Sequence, residues 1–125
     1  QAETPKAPGM KYKHYAPDAQ VLIVNADEWG EALDWAKTQP AKIGVMAFGP
    51  EIAKVSELPE NIEGYSLGSD VKSASSRLFS GLRTFDSKDY ILCAGVLETG
   101  LGEAYMNRLK KAAGNAFFKE FNKNK

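Results

Sequence analysis

The residues with the most chemistry to offer stand together near the start of the chain: Lys11, Tyr12, Lys13, His14 and Tyr15. They lie in the run Ala7-Pro8-Gly9-Met10-Lys11-Tyr12-Lys13-His14-Tyr15-Ala16-Pro17. Tyr12 and Tyr15 offer flat apolar rings, each with a hydroxyl. Lys11, Lys13 and a protonated His14 offer positive charge to a phosphate or carboxylate. Pro8-Gly9 is a turn-forming pair, and Pro17 fixes the backbone again, so the segment between them is an extended arm. A plain spacer is Gly/Ser-rich or Pro-rich and lacks such aromatic and ring-nitrogen content. The arm is built to lie on a surface. On residue types alone, that surface could be the domain that follows or a partner outside this chain.

Other candidate sites are weaker. Gly100-Leu101-Gly102 falls between a predicted strand and a predicted helix. Bare backbone amides at a helix N-terminus can bind an anion, so Gly100 and Gly102 are possible phosphate contacts. A dinucleotide fingerprint needs a third glycine and a downstream acid, and neither is present. A tight turn with close packing explains the two glycines more simply. The carboxylates Asp27, Glu28, Glu31 and Asp34 have no His or Cys beside them, so no metal site is expected, and a solvated helix start accounts for them. A receiver-type phosphorylation site would need an acceptor Asp after the third strand, where the sequence has Leu67-Gly68-Ser69. Cys93 and His14 are each the single residue of their kind, and nothing assembles a nucleophile, a base and an orienting group. Catalysis by this segment alone is not expected.

The elements that would position these residues follow from periodicity. Residues 21–24, 42–48 and 90–97 are apolar runs of strand length, and 62–67 reads as a weaker strand. Between them come helical patterns. The first starts after Asp27, read as its N-cap, carries Trp29, Ala32, Leu33 and Ala36, and stops at Pro40. One or two turns follow over 51–58. A long helix capped by Ser69 or Asp70 shows the stripe Val71, Ala74, Leu78, Leu82 and Phe85. A last helix over 101–113, capped by Thr99, presents Leu101, Tyr105 and Leu109, and Gly114 stops it. Strands alternating with helices imply crossover connections. The fold class is therefore α/β, a three-layer Rossmann-like domain over 21–125 with a mostly parallel sheet of four or five strands, after a linker arm over 1–20. Strand order does not follow from the pattern.

Composition agrees. The chain has 125 residues, 43% hydrophobic and 26% charged, the balance of one globular domain. Sixteen basic residues offset sixteen acidic ones, so net charge points to neither nucleic acid nor membrane. Arg108, Lys110 and Lys111 are expected to complement a helix C-terminus, and direct tRNA binding is not expected. Phe117, Phe118 and Phe121 read as core anchors, as do Trp29 and Trp35. A lone Cys93 suits a reducing cytoplasm. No run reaches membrane-spanning length. The start at Gln1 suggests a segment of a longer protein.

Two motifs carry a resemblance. Pro8-Gly9-Met10-Lys11-Tyr12-Lys13-His14-Tyr15-Ala16-Pro17 resembles the interdomain linker of the two-domain threonylcarbamoyl-AMP synthases. Gly100-Leu101-Gly102-Glu103-Ala104-Tyr105-Met106-Asn107-Arg108-Leu109-Lys110-Lys111-Ala112-Ala113 is similar to the helix that ends that family's sequences. The resemblance implies that this chain is the linker plus a Rossmann-like accessory domain. The YrdC-like catalytic domain, which lies N-terminal to the linker in that family, is absent from this chain. In the family that domain joins threonine, bicarbonate and ATP, with magnesium, into threonylcarbamoyl-AMP for tRNA threonylcarbamoyladenosine modification. By the same resemblance the linker gates the catalytic cleft and Tyr15 touches the nucleotide there. No tightly bound cofactor is implied for this segment. The alternative is a free-standing Rossmann-like module that binds a nucleotide or phosphate, or a pure interaction domain.

Overall fold

Four pentads form the sheet, and their burial reports their places in it. The computed structural model describes residues 17–123. The strands are β1 (Gln20–Val24), β2 (Ile43–Ala47), β3 (Ile62–Ser66) and β4 (Tyr90–Ala94). Their order is β1-β4-β2-β3, and every neighbouring pair is parallel. β2 is buried at all five positions, as a central strand covered on both faces must be. β3, at the edge, is exposed at Glu63 and Gly64. The other edge is partly covered by residues 116–117: the Ile23 amide donates to the Ala116 carbonyl at 2.9 Å, and Ile23 pairs in parallel with Phe117.

The helices are α1 (Trp29–Lys37), α2 (Gly49–Val55), α3 (Val71–Thr84), α4 (Leu101–Ala113) and α5 (Phe118–Lys123). Strand order dictates their faces. From β1 to β2 to β3 the chain steps one way across the sheet. From β3 to β4, and on to residues 116–117, it steps back. Crossovers of this kind are right-handed, so reversing direction carries the helix to the other face. The contacts agree. Trp35 of α1 and Phe118 of α5 meet with Tyr90 on one face, where Ile52 and Val55 of α2 crowd Gly64. On the other face α3 sets Gly81 against Met46 and Phe85 against Gly44, and α4 sets Tyr105 against Cys93. The result is three layers, helix–sheet–helix, with the parallel α/β architecture the alternation predicts.

Both thin spots over the sheet are glycines. A Cβ on Gly44 would stand 2.2 Å from the Phe85 ring, and one on Gly81 2.5 Å from the Met46 methyl. Trp35 is the hub of an aromatic cluster, with ring centroids 5.2 Å from Tyr90, 5.8 Å from Phe118 and 5.5 Å from Phe121, all steeply inclined. Its buried indole N–H has no hydrogen-bond acceptor among the described residues. Inclined ring faces are the weaker acceptors available to it. Each fully buried Leu or Ile in this core contributes about 1.5–3 kcal/mol relative to an exposed one.

Several features differ from the sequence pattern, and two caps match it. Asn25, not Asp27, precedes the first helical turn, a 3-10 turn over Ala26–Glu28, and its amide donates to the Glu28 carboxylate at 3.1 Å. Glu28 is therefore buried, while Asp27, Glu31 and Asp34 are solvated. β4 ends at Ala94, and residues 95–97 leave the sheet. The N-cap of α4 is Gly100, one residue after Thr99, whose carbonyl accepts the Gly102 amide at 2.9 Å. Leu101 is 61% exposed and so lies off the buried stripe of Tyr105 and Leu109. Asp70 caps α3, accepting the Ser73 amide at 2.9 Å, and Gly114 ends α4 in a left-handed conformation at φ 59°.

Candidate functional site

A doubly wound sheet presents its functional surface at the carboxyl ends of the strands, where neighbouring connections diverge. Here the chain leaves β2 toward β3 and leaves β4 toward the far side of β1. The divergence point is therefore the crevice between β2 and β4. It is flanked by the turn into α2 and by the loop over 95–100.

The loop after β4 is held closely. The Gly95 amide continues the ladder onto the Val24 carbonyl at 2.8 Å. The Val96 amide points at the Met106 sulfur, 3.4 Å away. Gly102 lies so near the loop that a Cβ there would stand 2.0 Å from the Leu97 carbonyl oxygen. This close approach accounts for Gly102 without a ligand. Gly100 has open space around it, but its backbone, at φ 56° and ψ −128°, is one that only glycine adopts readily. Two amides of the first turn, those of Gly102 and Glu103, already bond the carbonyls of Thr99 and Gly100. The structure thus brings Gly100 and Gly102 together as the frame of a rigid loop.

Beneath the loop, Tyr105 and Cys93 form a buried pair. The Tyr105 hydroxyl donates to the Ala94 carbonyl at 2.7 Å, and the Cys93 sulfur lies 3.6 Å from the Tyr105 hydroxyl oxygen. The tyrosine proton is committed to Ala94, so the thiol donates to Tyr105. Burial pushes the Cys93 thiol up to about 12, and hydrogen bonding from Tyr105 to the thiolate form opposes it. Burial, with Cys93 close by, also raises Tyr105 far above the usual phenol range. Both groups stay neutral at physiological pH, and Cys93 is not an activated nucleophile. Among the described residues no three His, Cys, Asp or Glu side chains gather to hold a metal ion. Lys11, Tyr12, Lys13, His14 and Tyr15 lie outside the described residues.

The family model described as threonylcarbamoyl-AMP synthase, C-terminal domain, matches residues 1–114. The chain belongs to this family. Among its relatives, the threonylcarbamoyl-AMP synthase of Pyrococcus abyssi is 39% identical over 125 residues, covering 94% of this chain and 34% of that protein. The Bacillus subtilis enzyme is 30% identical over 118 residues, with 91% and 34% covered. The chain thus spans about one third of the length of these relatives and corresponds to their C-terminal domain.

Solved structures of the threonylcarbamoyl-AMP synthase family agree in fold. Pyrococcus abyssi Sua5 complexed with L-threonine superposes at a TM-score of 0.68 with 38% identity, over 94% of this chain and 34% of that one. A variant of that protein, with an adjacent histidine and tyrosine both changed to alanine, gives 0.67 and 37%, over the same shares. The C-terminal Sua5 domain of Pyrococcus horikoshii, 35% identical, gives 0.54 over 76% of this chain and 93% of that one.

The position of Leu97 is what periodicity missed. The run over 90–97 reads as one strand, yet Leu97 is 84% exposed. Its signal was the glycine that interrupts the run, Gly95, at which the chain turns out of the sheet.

Proposed function

We propose that this chain is the accessory C-terminal domain of a threonylcarbamoyl-AMP synthase, and that its leading arm gates a catalytic cleft on a YrdC-like domain upstream. The observation that carries this is the family match over residues 1–114 together with coverage of only 34% of its relatives. The absent two thirds would hold the substrates threonine, bicarbonate and ATP with magnesium. A relative crystallised with L-threonine supports that substrate class.

The described part of the chain supplies no activated nucleophile, since its one cysteine is buried and held protonated. What the chain would add is cover. Threonylcarbamoyl-AMP is a mixed anhydride and hydrolyses readily, so its cleft must exclude water. Tyr12 and Tyr15 would lay apolar rings over the nucleotide, while Lys11, Lys13 and His14 meet its charge. The His14-Tyr15 pair is the only adjacent histidine and tyrosine in this sequence, and one solved relative carries alanines at such a pair. The setting is the cytoplasm, in keeping with a lone reduced cysteine. Among the described residues no helix is long and apolar enough to cross a membrane. A free-standing phosphate-binding module is less well supported, because packing already explains Gly102.

The test is pyrophosphate release from ATP that depends on threonine and bicarbonate. The longer polypeptide should release it, and the 125-residue chain should not. Release by the 125-residue chain, or none from the longer one, would overturn the assignment.

A further inference from the structure

Among the described residues two large apolar side chains stand out in solvent: Leu97 at 84% exposed and Leu101 at 61%. Single exposed leucines are ordinary. These two share one short stretch, on the loop after β4 and the first turn of α4, beside the crevice between β2 and β4. Their backbone is fixed by the Gly95, Val96 and Gly102 contacts described above. A polar pair stands next to them, with the Lys110 ammonium 2.7 Å from the Glu98 carboxylate. An apolar centre with a polar rim is the anatomy of an interface. A backbone already set loses little entropy on docking.

We propose that Leu97 and Leu101 are the anchors by which this domain docks onto the catalytic domain that precedes the arm. This rests on the assignment made under Proposed function. The size of the patch selects the occupant. Two leucines supply only a fraction of the roughly 800 Å² per partner that a stable association of separate chains needs. A tethered domain needs far less, because the arm holds it at an effective concentration in the millimolar range. The reach is sufficient. The described chain enters at the amino edge, where the Gln20 amide bonds the Asp89 carbonyl. Sixteen preceding residues span up to about 55 Å, against about 17 Å for the length of a five-residue strand.

Hydrogen exchange at the amides of residues 96–102 tests this. Exchange should be slower in the longer polypeptide than in the 125-residue chain. Leu97→Asp and Leu101→Asp, together, should return it to the rate of the 125-residue chain without lowering the unfolding midpoint. Equal rates in the two unaltered proteins would overturn the proposal. So would protection that grows with concentration in the 125-residue chain, which would assign the patch to a second copy. Threonine-dependent pyrophosphate release keeps the two ideas apart. Release without protection sinks the docking alone, whereas no release sinks the assignment on which it rests.

Discussion

The Leu97 carbonyl oxygen occupies the space that a side chain on Gly102 would need: a Cβ there would stand 2.0 Å away. Neither atom belongs to a flexible group, so nothing can move aside cheaply. Gly102→Ala should therefore destabilise the domain by about 1–3 kcal/mol or more. Gly100→Ala, with open space but a glycine-only backbone, should cost about 1–3 kcal/mol through strain alone. Leu97→Ala, at an exposed position, should stay within about 0.5 kcal/mol. Urea unfolding of the three variants checks the order. A neutral Gly102→Ala would show that the contact carries no constraint.

The Tyr105–Cys93 pair gives a pH dependence with a definite sign. The folded thiol is raised to about 12 from an ordinary value of 9.0. The folded protein therefore holds a proton that the unfolded chain releases. The stability this confers is complete below about pH 9 and is lost as the pH rises toward 12. Tyr105, shifted the same way, adds to the loss. Cys93→Ala should flatten part of the alkaline decline in thermal midpoint. Tyr105→Phe should cost about 1–3 kcal/mol, because it leaves the Ala94 carbonyl buried and unpaired. A thiol reagent at pH 8 should label Cys93 only after unfolding.

How far the sequence could be read depended on whether a residue's neighbours were local. The largely apolar strands β1, β2 and β4 and the stripe Ala74, Leu78 and Leu82 are legible because local pattern alone marks what is buried. The cap at Asp70 and the stop at Gly114 are legible because they serve groups one turn away. Strand order is not legible, since Tyr90 pairs with both Gln20 and Ile43 across distant parts of the chain. Leu101 is apolar and correctly spaced for the stripe of α4, yet it is solvent-exposed. Whether a neighbour covers the first turn of a helix is a tertiary matter that spacing does not set. The arm chemistry of Lys11, Tyr12, Lys13, His14 and Tyr15 was legible as composition, and these residues lie outside the described ones.

Asp70 offers an independent check at acid pH. Its carboxylate accepts the Ser73 amide, and that backbone hydrogen bond, followed by the one to the Ser73 hydroxyl, holds it below its ordinary value. The sign is opposite to that of Cys93. Its contribution is present above about pH 4, the usual carboxylate range, and is lost as the pH falls through the folded value. Asp70→Ala should lower the thermal midpoint at pH 7, and Asp70→Asn should lower it less, since an amide oxygen still caps. The difference between Asp70→Ala and the parent should shrink at pH 2. A pH-independent difference would mean that the cap does not depend on charge.

The role proposed for Tyr15 separates function from stability. The sequence predicts an extended arm, since Pro8-Gly9 and Pro17 would interrupt any ladder. Its rings gain most where they exclude water from a nucleotide. Removing one ring would forfeit about 1.5–3 kcal/mol of apolar contact. Spent on the closed state, that amounts to roughly 10–100-fold in rate. Tyr15→Ala in the longer polypeptide should therefore slow threonylcarbamoyl-AMP formation by about that factor, while the 125-residue chain carrying it unfolds at an unchanged temperature. Tyr15→Phe divides the effect, since it keeps the ring and removes the hydroxyl. If cover is the ring's task, Tyr15→Phe retains most of the activity and releases no more free AMP than the parent. Should Tyr15→Ala destabilise the 125-residue chain by several degrees, the ring belongs to this domain's own packing. Unchanged synthesis by Tyr15→Ala in the longer protein would equally end the gating role, because a lid that can lose its covering ring without loss of rate is not excluding water from the anhydride.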